Sequence, residues 1–181
     1  MGLDMYLTRK VYIGANYEHN KVTGTIALQK DGKDIPVELN KVKYIEEDAA
    51  YWRKANSIHN WFVSTVQDGE DDCKEYYVDK EHLKELVENC NKVIKSLEKS
   101  GKKTIKVETG WTSRGKTYGD SEVFTDTSLA EELLPTQSGF FFGGTDYNIW
   151  YLEELKNTVE QLTPIIEKEE DFAEYYYQSS W

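Results

Sequence analysis

Residues 46–66 read EEDAAYWRKANSIHNWFVSTV. Trp52, Ala55, His59, Phe62 and Val66 recur there at three- and four-residue spacing, the mark of a helix with one buried stripe. The spacing predicts a first helix over Glu46–Val66, with Tyr51, Ile58 and Trp61 widening its apolar surface. Upstream, Leu3–Ile13 alternates imperfectly and predicts a strand bent near Thr8-Arg9-Lys10. Thr25–Leu28 and Ile35–Leu39 flank Lys30-Asp31-Gly32-Lys33, where Asp-Gly between β-prone runs signals a hairpin; Val42–Ile45 adds a further short strand. Downstream, Gln67–Cys73 is an acidic loop and Glu75–Val78 a short strand. Asp79 then caps a helix whose face carries Leu83, Leu86, Val87, Cys90, Val93, Ile94 and Leu97 and which stops near Ser100-Gly101. Lys103–Glu108 predicts a strand, Phe140-Phe141-Phe142 a buried strand, and Ala173–Ser179 an aromatic one. Tyr147–Glu167 predicts a helix that Pro164 kinks or ends. Strands and helices are segregated rather than alternating as βαβ units. The class is therefore α+β: an antiparallel sheet packed against about three helices. Residues 1–181 are expected to form a single domain with a polar flexible excursion near 109–127.

The 181 residues carry 22 Lys+Arg against 33 Asp+Glu, a formal charge of −11, yet include five Trp, thirteen Tyr and six Phe. Such aromatic content argues against disorder. The acidity argues against duplex nucleic acid as a partner, since neutralising phosphates takes a basic footprint. The first ten residues hold Asp4 and no apolar core, so no secretory signal is expected, and Tyr6 breaks the myristoylation pattern. Apolar runs fall far short of the ~20 residues of a bilayer span, so no membrane partner is expected. Cys73 and Cys90 are expected to stay reduced in a cytosolic setting.

Catalytic and metal motifs are missing from the sequence. The three histidines, His19, His59 and His82, form no zinc-binding spacing. Asp68-Gly69-Glu70-Asp71-Asp72 lacks the alternation of a calcium loop and reads as solvated. No nucleophile elbow is present, and Cys73 lies beside acids that disfavour a thiolate. No metal, cofactor or catalytic residue is therefore expected. A hydrolase built on His59 has no partner carboxylate in its neighbourhood of sequence, and His59 also falls on the apolar stripe.

Three stretches carry recognition chemistry. In YWRKANSIHNWF, residues 51–62, two indoles, a guanidinium, an ammonium, an imidazole and two amides crowd together. Such side chains stack on bases, pair with phosphates and read base edges; the alternative is a core helix with Arg53 and Lys54 merely solvated. In LPTQSGFFFGGTD, residues 134–146, a strand running through Gly-Gly-Thr into a helix start offers backbone N–H groups to an anion; the alternative is an ordinary turn capped by Thr145. The polar excursion holds Arg114, Lys116 and Tyr118, which either close over a ligand or form plain surface. The candidate ligand-binding residues are Trp52 and Trp61 for stacking, Arg53 and Lys54 for phosphate, and Asn56 and His59 for a base edge. Tyr12, Thr136 and Ser138 are the secondary candidates.

The start Gly2-Leu3-Asp4-Met5-Tyr6-Leu7, the YWRKANSIHNWF stretch, the LPTQSGFFFGG turn and the ending Tyr176-Tyr177-Gln178-Ser179-Ser180-Trp181 occur together in this order. In that combination the chain resembles a widespread family of small phage and prophage proteins, associated with viral sponges that sequester the cyclic-dinucleotide signals of bacterial anti-phage (CBASS) immunity. The resemblance implies a non-catalytic homo-oligomer, a tetramer, that binds its ligand uncleaved in the cytoplasm of the infected host. Two other functions remain open at this point: an acidic inhibitor that binds a host defence enzyme, and a nucleotide phosphodiesterase.

Overall fold

A computed structural model describes residues 2–14, 22–113, 115–168 and 172–181. His19 and Arg114 lie outside the described residues, and the side chains of Thr109 and Trp111 are not described. The chain folds as α+β, with β1 (Asp4–Tyr12), β4 (Tyr44–Arg53), β5 (Tyr76–Val78) and β8 (Ala173–Ser180) in one antiparallel sheet of order β4-β1-β8-β5. Helices α1 (Asn56–Thr65), α2 (Lys80–Leu97), α3 (Ser128–Leu133) and α4 (Ile149–Ile166) complete the core.

The largest departure from the sequence reading is residues 46–53, which form a strand and not the first half of a helix. Ala50 and Trp52 are buried while Tyr51 and Arg53 are exposed, a period of two. The strand pairs with β1 in the register Met5↔Trp52 and Leu7↔Ala50. The helical spacing from Trp52 to Phe62 is real, but Lys54 interrupts it with φ +60. Its backbone N–H donates to Leu3 O at 2.8 Å, which turns the chain from sheet into α1. Pairing with β1 decides the conformation of residues 46–53, as tertiary context does for short amphipathic runs. A register shift between Leu7 and Thr8 places a bulge in this pair, at the edge of the predicted bend.

The core fills one side of the sheet. Phe62 stacks on Tyr177 at 3.9 Å between ring centroids, and Trp52 lies 5.8 Å from Phe62. Leu83, Leu86, Cys90, Val93 and Leu97 of α2 and Leu152, Leu155 and Leu162 of α4 are buried in the same cluster. Burial pushes the Cys90 thiol up to about 12, which leaves it an inert small hydrophobe. Asp79 caps α2, its side chain accepting from Glu81 N, as the sequence predicts. Helix α4 extends two residues beyond Pro164 before it ends.

On the opposite face of the sheet three cross-strand tyrosine pairs stand together: Tyr6 with Tyr51, Tyr12 with Tyr44, and Tyr77 with Tyr176. At the outer edge of β4 the Gln161 amide of α4 replaces a missing strand. Its Oε1 accepts from Tyr51 N at 2.9 Å, and its Nε2 donates to Tyr51 O at 3.1 Å.

Three further departures concern the connecting segments. The predicted hairpin forms, but more tightly than expected, as β2 (Leu28–Lys30) and β3 (Lys33–Ile35) around Asp31 and Gly32, both with positive φ. The stretch near 109–127, expected as an excursion, instead belongs mostly to a long two-stranded ribbon of β6 (Lys102–Thr112) and β7 (Gly115–Phe124). Phe140-Phe141-Phe142 is a turn, not a strand: Phe141 has φ +67, and only Phe142 is buried.

Candidate functional site

The turn from β4 into α1 positions two cations without burying them. Arg53 ends the strand on its exposed side, its Nε 3.8 Å from Asp4 Oδ1. Lys54 sits in the left-handed turn and makes no ion pair among the described residues. Asn56 follows, almost wholly buried, and its amide ties the neighbouring loop to this turn. Its Nδ2 donates to Phe142 O at 3.2 Å and to Gly144 O at 2.8 Å, while its Oδ1 accepts from Gln137 N at 3.1 Å. Gly143 completes the junction with φ +97; a Cβ there would stand 3.2 Å from Lys54 O, so a side chain would press on the turn. Thr136 closes the far end of the loop, donating from Oγ1 to Thr145 O at 3.1 Å.

Between this junction and the start of α4 lies a cleft of about 340 Å³. Its lining includes Arg53 and Lys54, Gly143 and Gly144, Asp146, and Trp150 and Glu154 of α4. Trp150 is 74% exposed. The Glu154 carboxyl is half-buried, has no hydrogen-bond or ion-pair partner among the described residues, and is pushed up to about 8 by burial. Helix α4 is capped by Asn148, whose Oδ1 accepts from Trp150 N at 2.9 Å and Tyr151 N at 3.2 Å. Thr145 is therefore not the cap, and two of the N–H groups at this helix start are already satisfied. Attraction for an anion falls to the Arg53 and Lys54 side chains instead.

Of the residues singled out from the sequence, the cleft gathers Arg53, Lys54, Asn56 and Thr136. Asn56 serves there as a clasp, with both ends of its amide engaged. Trp52 is in the core, its indole N–H donating to Thr158 Oγ1 at 3.0 Å, and Trp61 is buried edge-on against Phe62. Neither indole presents a face to a ligand. Tyr12 lies with Tyr44 among the tyrosine pairs of the sheet, and Ser138 is exposed outside the cleft lining. The exposed indole that the sequence reading assigned to residues 51–62 is supplied by Trp150. Its position off the Leu152, Leu155, Val159 and Leu162 stripe was the available signal. Lys116 is paired with Glu108 at 2.6 Å on the ribbon, and Tyr118 is exposed there.

His59 belongs to a separate, closed cluster. Its Nδ1 is 2.8 Å from Tyr177 Oη and its Nε2 2.9 Å from Asp71 Oδ2. Donation from Nε2–H to the carboxylate leaves Nδ1 to accept from the tyrosine hydroxyl. The other Asp71 oxygen accepts from Trp181 Nε1 at 3.0 Å, and Phe142 meets the imidazole edge-on. The carboxylate partner missing from the sequence reading thus comes from the acidic loop, which is anchored at Asp71 rather than wholly solvated. Both ring nitrogens are engaged and the side chain is fully buried, so His59 neither reads a base edge nor reaches a substrate.

Searches against protein-family models, curated proteins and solved structures found no match. No helix among the described residues is long and apolar enough to cross a membrane.

Proposed function

We propose that this cleft binds a cyclic dinucleotide and holds it uncleaved, so that the protein acts as a phage immune-evasion sponge in the cytoplasm of an infected bacterium. The observation that carries the proposal is the pairing of two available cations, Arg53 and Lys54, with the exposed Trp150 indole across one small cleft. A nucleotide asks for those two things: a flat face for its base and positive charge for its phosphate. A base stacked on an aromatic ring contributes roughly 1–3 kcal/mol, and charge-assisted bonds to phosphate add to it. A volume of about 340 Å³ is at the small end of ligand sites and suits one nucleotide unit. The second unit of a cyclic dinucleotide would then extend toward another copy of the chain, which favours a homo-oligomer such as a tetramer. The overall acidity does not oppose this, because a small ligand needs only local cations.

The direct test is capture and release. The protein is incubated with a panel of cyclic dinucleotides, separated from free ligand and heat-denatured, and the released nucleotide is analysed. Intact ligand is expected. Linear products would replace the sponge with a phosphodiesterase, and no capture across the panel would end both.

A second function, inhibition of a host defence enzyme by protein contact, is favoured by a different surface. Glu46, Glu75 and Glu174 gather with Tyr44 and Tyr176 on the far face of the sheet. Lys10 stands among them, 2.8 Å from Glu75 and 4.8 Å above the Tyr176 ring, and offsets part of that charge. Arg53→Ala separates the two functions: it removes nucleotide capture in the first and leaves protein binding intact in the second.

A further inference from the structure

The face of the sheet turned away from the core is ordered in rows by its register. Tyr51 and Tyr6 stand across from one another, then Asp48, Thr8, Tyr176 and Tyr77, then Glu46, Lys10 and Glu174, then Tyr44 and Tyr12. Side chains on one face recur every second residue, so successive rows lie ~7 Å apart. Rings and carboxylates therefore interleave along the strands. Tyr44 and Tyr77 are more than half exposed. Asp48 is exposed and has no ion pair among the described residues, and Glu174 accepts only from the Tyr176 hydroxyl there, at 2.8 Å. Counting Asp4 and Glu75 at the margins, five carboxylates meet two cations, Lys10 and Arg53.

Charge narrows what can cover this face. A second copy laid face to face would bring the same acid excess, and nucleic acid or anionic lipid would be repelled as well. A basic protein surface is complementary. Lys10 shows how the face holds a cation: its Nζ lies 2.8 Å from Glu75 and 4.8 Å from the centre of the Tyr176 ring. Asp48, between the Tyr51–Tyr6 pair and the Lys10 row, repeats those ingredients without a cation of its own. We propose that this sheet face is a docking surface for an arginine-bearing segment of a partner protein. A guanidinium lies flat on a ring while its N–H groups reach a carboxylate in the adjoining row. An ammonium makes such contacts as a more strongly hydrated point charge and gains less from them. Nine residues of β1 in a four-stranded sheet span roughly 500 Å², the size of a weak, reversible interface.

The inference rests on the second function above, contact with a protein through this face, and is independent of nucleotide capture. Titration calorimetry compares an oligo-arginine and an oligo-lysine peptide of equal length on four forms of the full chain. These are the unmodified protein, Asp48→Asn with Glu174→Gln, Tyr44→Leu with Tyr77→Leu, and Glu85→Gln with Glu88→Gln as a control on the exposed side of α2. The unmodified protein is expected to bind the arginine peptide about 3–10-fold more tightly than the lysine peptide. Loss of the two face carboxylates should weaken both peptides about 3–10-fold. Loss of the two rings should bring the arginine peptide down to the affinity of the lysine peptide, and the α2 control should change neither. Equal binding of the two peptides, weakened by loss of the face carboxylates, would overturn the choice of arginine while leaving an acidic protein-binding face. An arginine preference that survives the tyrosine substitutions would overturn it in the same way. Binding that falls only in the α2 control, or no binding of either peptide, would remove the face as a protein site altogether.

Discussion

The His59 cluster and the Arg53–Glu154 cleft lie on either side of the same loop, residues 135–146. Phe142 packs on the imidazole while Gly143 and Gly144 line the cleft. Both sites contain aromatic, acidic and basic groups, and they differ in what those groups have left to offer. In the first, every nitrogen of His59 and both oxygens of Asp71 are engaged. In the second, Lys54 and Glu154 have no side-chain partner among the described residues and the Trp150 ring is open. Polar groups with filled valences hold a fold together; those left open, at a cost to the fold, are the ones available to a ligand.

This contrast can be broken in four places. The largest effect should come from His59→Ala, which strands Tyr177 and Asp71 in a closed cluster. Urea unfolding should show a loss of ~3 kcal/mol, and an unchanged midpoint would mean that the cluster is not structural. Next, Arg53→Ala should weaken nucleotide capture by about 10–100-fold through the loss of a charge-assisted bond. Its exposed side chain makes only a long contact to Asp4, so stability should move by less than ~0.5 kcal/mol. A stability loss without a binding loss would reverse the roles assigned to the two regions.

The third effect is a dependence of stability on pH. Unfolded, Glu154 releases its proton near the ordinary 4.5; folded, it retains it up to about 8. Between those values the folded state holds the extra proton, so raising the pH favours the unfolded chain. Ligand-free stability from this group should be full below 4.5, fall between there and about 8, and then level off. The slope has a ceiling of ~1.4 kcal/mol per pH unit, and residual contact with water keeps it lower. Comparing denaturation curves of the unmodified protein and Glu154→Gln isolates the contribution, and parallel pH profiles would refute it. The smallest effect belongs to Lys54→Gly. Glycine adopts the positive φ of this turn without the Cβ clash, so stability should rise by about 0.5–1 kcal/mol. Capture of nucleotide should nevertheless weaken, because the ammonium is gone. A residue kept in a strained backbone conformation and improving only binding would be the sharpest form of the contrast.

Much of the scaffold was legible from local signals. Asp79 announced the start of α2, Asp31-Gly32 the hairpin turn, and the leucines of α4 their own buried stripe. Residues 46–53 were not, because Trp52, Ala55, His59 and Phe62 keep helical spacing across a break in the backbone at Lys54. Only the pairing of Met5 with Trp52 reveals that the first of them lies in a sheet. Of the residues lining the cleft, Arg53, Lys54, Asn56 and Thr136 were singled out from residue chemistry alone, although Asn56 ties down the loop instead of offering its amide to a base edge. Trp150 and Glu154 were not, since the exposure of one and the partial burial of the other arise from distant elements. The same holds for Asp71, which meets His59 only after the acidic loop has folded back over α1.

The Gln161 amide on Tyr51 has a bearing on how copies of this chain can associate. An open strand edge invites another strand to add to it, and the outer margin of β4 is such an edge. Gln161 occupies the backbone groups at one end, while at the other Glu46 and Glu47 pair inward with Lys10 and Arg9 of β1. Continuous sheet formation across β4 of two molecules is thereby blocked where Gln161 plugs the edge. The oligomer proposed above would therefore have to form through a surface other than this end of β4.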